Sequence, residues 1–282
     1  MTLTQSLAKL IVSSSPTPAA HEAAREGLLD FLAVTLPVLR GDLPDAGLNS
    51  LHQVYRAGDR ATHALLLGYA GHALDFDDFH PDFRGHPGVV ILPALLALAS
   101  QRPDISGGQF LDAYVTGVEM AGRLGLAAGS QHYKLGFHNT ATLGTIAASA
   151  ACARLVDATE RQTALILGLA ATQSAGLRAQ FGSDVKPLHA GLAAQTAVIA
   201  TQRRWQAFTA RQTTCLTAFY RLIAPVSNSR KNSFQTGARR GGLSRPVWNS
   251  NPIRPALART ALPMPRGLFV MTGCKPVKAQ MH

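Results

Sequence analysis

The chain has 282 residues, 46% of them hydrophobic and only 15% charged, which is enough apolar material for one large domain or two ordinary ones. Its three cysteines have no metal-ligand spacing, which argues against both a disulfide framework and an iron–sulfur cluster and favours a reducing compartment. The N-terminus lacks a signal-peptide core, and the longest apolar run, residues 89–99, is too short to span a bilayer. We therefore expect a soluble, cytoplasmic protein with no membrane partner.

The net charge of +11 is unevenly distributed. Residues 203–282 contain 14 Lys and Arg and no acid, so residues 1–202 hold 13 basic and 16 acidic residues, a net charge of −3. Residues 228–282 are rich in Arg, Ser, Asn, Pro and Gly without apolar periodicity, which predicts a disordered basic tail after a degenerate transition at residues 203–227. A nucleic-acid-binding arm is one alternative, but it lacks a motif and stacking aromatics, so we expect no nucleic-acid partner. For this acid-free C-terminal stretch, the interpretation that we favour is a shifted reading frame in the coding DNA.

Helical periodicity dominates the first 202 residues. Pro37 is expected to end the first of these helices, and Ser106 with Gln109 has the spacing of a capping box. A further helix start is predicted within residues 157–160. The predicted helices cover residues 21–38, 61–73, 89–99, 110–128, 140–155, 163–177 and 188–202. Little of this region alternates with the period of a strand, so we predict an all-α fold, a large helical bundle formed by residues 1–202.

Three polar islands interrupt this apolar sequence, and they lie at predicted helix ends or loops. They are residues 72–87, with three histidines and four aspartates, residues 136–140 and residues 186–189. Together they supply acids, imidazoles and one ammonium, which are the components of a proton-transfer site.

Each island also has a structural interpretation. The residues of the first could bind a hard or borderline metal, although their spacing matches no metal motif, or could cap helix ends. His86 precedes a fully apolar helix, whose N-terminal N–H groups could hold a substrate carboxylate. His138 could be a structural residue at a helix start. Lys186 could be a solvated surface lysine, but inside a packed bundle it would need an anion.

Four motifs carry a family resemblance. They are His-Ala-Leu-Asp-Phe-Asp-Asp at 72–78, Gly-His-Pro at 85–87, Gly-Phe-His at 136–138 and Lys-Pro-Leu-His at 186–189. In this order and at these separations they resemble the MmgE/PrpD family, which includes 2-methylcitrate dehydratase and cis-aconitate decarboxylase. The resemblance covers residues 1 to about 200. It implies a large helical domain, a smaller α/β lid domain and a homodimer that acts on tricarboxylic acids without metal or organic cofactor.

The resemblance also implies site residues. The catalytic set carries over onto Asp75, His86, His138 and Lys186, and the substrate-binding set onto His86, Lys186 and His189. Lys186 and His86 would hold substrate carboxylates, and His138 would transfer the proton because imidazole titrates near working pH. Asp75 would orient a histidine.

The remaining polar residues of the first island are expected to be helix-end structure. These are His72, Asp77, Asp78 and His80. Nothing after about residue 220 resembles the family's lid domain, which supplies a histidine and a tyrosine, so we expect that domain to be absent. The predicted function is dehydration or decarboxylation of a citrate-like acid, impaired by the missing lid. The alternative is an inactive helical fragment that serves as a dimerising or binding module.

Overall fold

The computed structural model describes residues 2–202 together with Ala218 and Phe219. Within these residues every regular element is helical, which confirms the all-α prediction for this part of the chain. The helices are α1 (Leu3–Val12), α2 (Pro18–Leu39), α3 (Ala46–Val54), α4 (Arg60–His72), α5 (Gly88–Ala99), α6 (Gly107–Lys134), α7 (Asn139–Leu155), α8 (Glu160–Gln173) and α9 (Val185–Thr201), with a short 3-10 turn at Arg178–Gln180. The predicted transition and basic tail otherwise lie outside the described residues.

The helix ends differ from prediction where local signals compete. Helix α2 continues past Pro37 to Leu39, because a proline in the last turn removes only one backbone donor. Helix α6 extends to Lys134, but it is kinked at Gly129 (φ 63°, ψ −164°), directly after the end predicted at residue 128. Two short helices, α1 and α3, were not predicted.

Side-chain caps define several helix starts. The predicted capping box of Ser106 and Gln109 is confirmed at the start of α6. The start predicted within residues 157–160 is confirmed, since α8 begins at Glu160 and its N-cap residue Thr159 forms a capping box with Gln162. Helix α8 also ends at Gln173, short of the predicted limit at residue 177.

Helix α5 forms the centre of the bundle. It contacts α2, α4, α6, α7 and α9, and residues such as Ile91, Leu92 and Leu95 are fully buried, which confirms the buried helix expected from its apolar sequence. In the part of the chain that is described, no helix is both long enough and apolar enough to cross a membrane.

A glycine contact allows α4 and α9 to pack closely. A Cβ atom on Gly191 would lie 2.4 Å from the Leu65 carbonyl oxygen, and one on Gly68 would lie 2.9 Å from the Gly191 Cα atom. Only hydrogen at these positions permits such an approach. This packing brings the C-terminal end of α4 beside the N-terminal end of α9, where two of the polar islands lie.

Candidate active site

The predicted site residues meet where four helix ends converge. Helix α4 ends at His72, and the following loop carries Asp75 and His86 up to the start of α5. His138 is the N-cap residue of α7, and Lys186 is the second residue of α9. Backbone geometry therefore gathers all three polar islands at one end of the bundle.

Asp75 and Lys186 form an ion pair between the first and third islands. Asp75 has a left-handed backbone (φ 55°) just after α4, and its side chain is 56% exposed, whereas that of Lys186 is 14% exposed. The Lys186 Nζ atom also lies 5.4 Å from the centre of the Phe181 ring. Lys186 is thus not a solvated surface lysine, and it meets the anion that its burial requires.

Asp77 lies at the centre of the site, which sequence reasoning missed. Its carboxylate is buried, with oxygens 2.9 and 3.0 Å from His72 Nδ1, and Oδ2 lies 3.0 Å from His86 Nδ1. Burial raises the pKa of Asp77, but the two imidazoles outweigh it and hold the pKa well below the usual range. The assignment of Asp77 and His72 to helix-end structure is therefore wrong. Only the density of polar residues in the island could have signalled this contact.

His86 is held from several sides. Its backbone N–H donates to Thr140 Oγ1 at 3.1 Å, and its ring lies edge-on to Phe79. Burial by itself lowers the pKa of His86, but the carboxylates of Asp77, Asp75 and Asp78 outweigh burial and raise the pKa to about 9. His86 is consequently an imidazolium at neutral pH. Its Nε2 atom lies 3.8 Å from Asp75 Oδ1.

His138 lies in a different electrostatic environment. Its backbone N–H donates to the Gly176 carbonyl at 3.0 Å, and its Nδ1 lies 3.2 Å from His189 Nδ1. Burial, followed by the repulsion that His72, His189, His86 and Lys186 exert when they carry a proton, lowers the pKa of His138 to about 2. The expectation that His138 titrates near neutral pH is wrong for this structure, because no carboxylate compensates for its burial. Its imidazole is neutral.

Of the two other polar residues of the first island, Asp78 serves helix-end structure, as predicted, whereas His80 accepts a hydrogen bond inside the loop. The Gly88 N–H at the start of α5 donates to Asp78 Oδ1 at 2.9 Å. The Phe83 N–H donates to His80 Nδ1 at 3.3 Å inside the same loop. Burial, followed by the charge of Asp77, raises the pKa of Asp78 to about 7.

A known protein family matches most of this chain. Residues 2–235 match the family described as the MmgE/PrpD N-terminal domain. The chain belongs to the MmgE/PrpD family. This confirms the resemblance of the four motifs and extends the matched region past the last of them.

Curated relatives of this MmgE/PrpD chain include cis-aconitate decarboxylases. It is 33% identical to the human cis-aconitate decarboxylase over 137 residues, which is 47% of this chain and 28% of the relative. It is 35% identical to that of Aspergillus terreus over 133 residues, 45% of this chain and 27% of the relative. A cis-aconitate decarboxylase-like protein of Aspergillus oryzae is 34% identical over 148 residues, 50% of this chain and 30% of the relative. The chain therefore matches less than a third of the length of each of these relatives.

The donor set of the site also bears on metal binding. His72, Asp75, Asp77 and His86 place one donor atom each within 4.8 Å of one another, a spacing that would admit a divalent cation. The positive charge that these carboxylates need is already supplied by the chain, since Lys186 pairs with Asp75 and His86 pairs with Asp77. The cluster is therefore charge-paired by groups of the chain itself.

Proposed function

We propose that this chain provides the helical part of a lyase site for a citrate-like tricarboxylic acid, used in dehydration or decarboxylation without metal or organic cofactor. One observation carries the proposal: two cationic side chains, Lys186 and His86, lie beside the neutral imidazole of His138 at a partly open helix junction. The family membership and the named relatives support the choice of substrate class.

Substrate binding would use the two cations. Asp75 is more than half exposed, so a substrate carboxylate could replace it at the Lys186 ammonium without crossing the core. His86 offers a second positive donor, and His189 lines the same junction beside His138. The N-termini of α7 and α9 lack side-chain caps, so their dipoles add positive potential.

Proton transfer would be the task of His138. A bound tricarboxylate brings negative charge close to this imidazole, which raises its pKa and allows it to exchange a proton. In dehydration the imidazole would take a proton from carbon, the C–O bond would break, and the resulting imidazolium would give that proton to the leaving hydroxyl group, which departs as water. In decarboxylation the C–C bond would break, carbon dioxide would leave, and the carbanion would take its proton from the His138 imidazolium that forms when the bound tricarboxylate raises the pKa. Lys186 and His86 would stabilise the enolate-like charge of either reaction.

A substitution of His138 tests this assignment. We expect His138→Ala to lower turnover of 2-methylcitrate or cis-aconitate by about 10²–10⁴-fold, the usual contribution of general acid–base catalysis. The matched control is His63→Ala, because His63 is an exposed histidine of α4. Product formation would be followed by chromatography for both acids. Equal rates for wild type and His138→Ala would contradict the role given to His138.

The alternative function is a binding or dimerising module without turnover, and it is favoured by the short matched length relative to the decarboxylases. In that case the wild-type chain would convert neither acid, yet Lys186→Gln would still weaken citrate binding measured by calorimetry. Turnover by the wild-type chain would eliminate this alternative.

Two further expectations belong to the proposal. We place the protein in the cytoplasm, and we propose a homodimer on the family resemblance. Sedimentation equilibrium would measure the dimer directly, and a mass that stays monomeric at high protein concentration would refute it.

A further inference from the structure

Asp77 is the residue of the site that has no place in the proposed chemistry. Its side chain is 1% exposed, so it cannot meet a substrate that enters from solvent. A buried carboxylate is costly unless it is paired, and both of its partners are histidines of the site. This raises the question of what Asp77 does for them.

Both histidines place the same ring nitrogen next to Asp77. His72 Nδ1 forms a hydrogen bond with this carboxylate at 2.9 Å, His86 Nδ1 lies 3.0 Å from it as an ion pair, and the centres of the two rings lie 4.7 Å apart. An acceptor at Nδ1 favours a proton on that nitrogen and turns Nε2 to the opposite side of the ring. For His86 that side faces Asp75, whose side chain is 56% exposed and whose Oδ1 atom lies 3.8 Å from Nε2.

The charges around His86 distinguish it from His138. Its own loop contributes Asp75, Asp77 and Asp78, and the packed helices contribute His72 from α4, His138 from α7 and Lys186 from α9. Asp77 is the carboxylate closest to the His86 ring, and its ion-pair contacts in the described residues are to His72 and His86 alone. Burial favours the neutral form of both His86 and His138, but only His86 has a buried carboxylate in contact to reverse that effect.

We propose that Asp77 is a positioning residue that holds the His72 and His86 rings through their Nδ1 atoms and keeps His86 cationic, with Nε2–H directed to the substrate side. This inference rests on the proposed function for the meaning of the substrate side. Asp77 itself touches no reacting atom. One buried carboxylate thereby separates the histidines of the site into a fixed cationic donor, His86, and a neutral proton-exchanging group, His138.

The experiment uses the full chain without ligand, so it remains informative if the proposed function fails. Histidine side-chain nitrogens are followed by NMR as a function of pH in wild type and Asp77→Asn. The amide keeps the size of the side chain but removes its charge. We expect the His86 titration midpoint to fall by about 1–3 pH units, the effect of losing an adjacent opposite charge. An unchanged midpoint would overturn the proposal.

A control and a second measurement complete the test. Asp82→Asn makes the same change in the same loop but is not among the groups that raise the His86 pKa, so it should leave the midpoint in place. If Asp77→Asn fails to fold, the NMR spectrum of the wild-type chain still tests the proposal, because the proposal requires both ring nitrogens of His86 to be protonated at about pH 7.5. A neutral His86 at that pH refutes the inference. Absence of citrate binding in wild type would refute only the proposed function.

Discussion

Asp78 predicts a large pH dependence of stability. It lies in the loop of the candidate site with only 4% exposure, and its pKa rises from the ordinary 3.8 to about 7 through burial and the neighbouring Asp77. The pKa of Asp78 is thus about three units higher in the folded chain than in the unfolded chain, which corresponds to about 4 kcal/mol of folding stability lost when Asp78 ionises. The perturbation that isolates this effect is Asp78→Asn, since an amide oxygen can still accept from the Gly88 N–H.

The direction follows from the two pKa values of Asp78. Below pH 3.8 the carboxyl is protonated in both the folded and the unfolded chain and contributes no pH dependence. Between pH 3.8 and about 7 the unfolded chain ionises while the folded chain keeps its proton, so stability falls as pH rises. Above about pH 7 both are ionised, and the loss is complete. Only the wild-type chain carries this slope, because the amide of the Asp78→Asn variant does not titrate.

Urea unfolding followed by circular dichroism measures the effect. Between about pH 4.5 and pH 7.5, the free energy of unfolding of Asp78→Asn should gain about 3 kcal/mol relative to wild type. The contribution of His138 is present in both chains and cancels in this difference, and His86 loses only the weakest of the three carboxylates that raise its pKa. The exposed Asp42→Asn should show no such gain. The reasoning is refuted if Asp78→Asn and wild type change in parallel over this range.

Two stability predictions concern the scaffold of the site, and the same unfolding measurement checks both. Gly191→Ala should lower the free energy of unfolding by about 1–3 kcal/mol, because its Cβ would meet the Leu65 carbonyl and push α4 away from α9. The control is Gly107→Ala, which should cost nothing because a Cβ there has open space. Equal effects of the two substitutions would contradict the packing account. Thr159→Ala should cost about 1 kcal/mol by removing the capping box of α8. The exposed Thr172→Ala on the same helix is its control, and an equal loss there would contradict the capping assignment.

Much of the fold could be predicted because it rests on local patterns. The continuous apolar sequence of α5 predicts a buried helix, and Ser106 with Gln109 predicts the start of α6. Helices α1 and α3 were not predicted although both carry local signals: a capping box of Thr2 with Gln5 begins α1, and Asp45 caps α3. Pro37 does not end α2 because it falls in the last turn.

The site was predicted as a set of residues, while their electrostatic states were not. The motifs selected Asp75, His86, His138 and Lys186, and the fold brings them to one helix junction. The same motifs gave no sign that Asp77 would become the buried partner of two histidines. They also gave no sign that His138 would have a pKa of about 2. A pKa depends on burial and on charges from several helices, which no short motif contains.

By itself the sequence determined the helical class, the central apolar helix and the identity of the polar islands, because periodicity, capping and motif spacing act over a few residues. Only the tertiary structure decided which polar groups pair. Lys186 reaches Asp75 across 111 positions, and this contact depends on the close packing of α4 against α9. Charges interact through space, so their partners, burial and protonation are properties of the packed bundle.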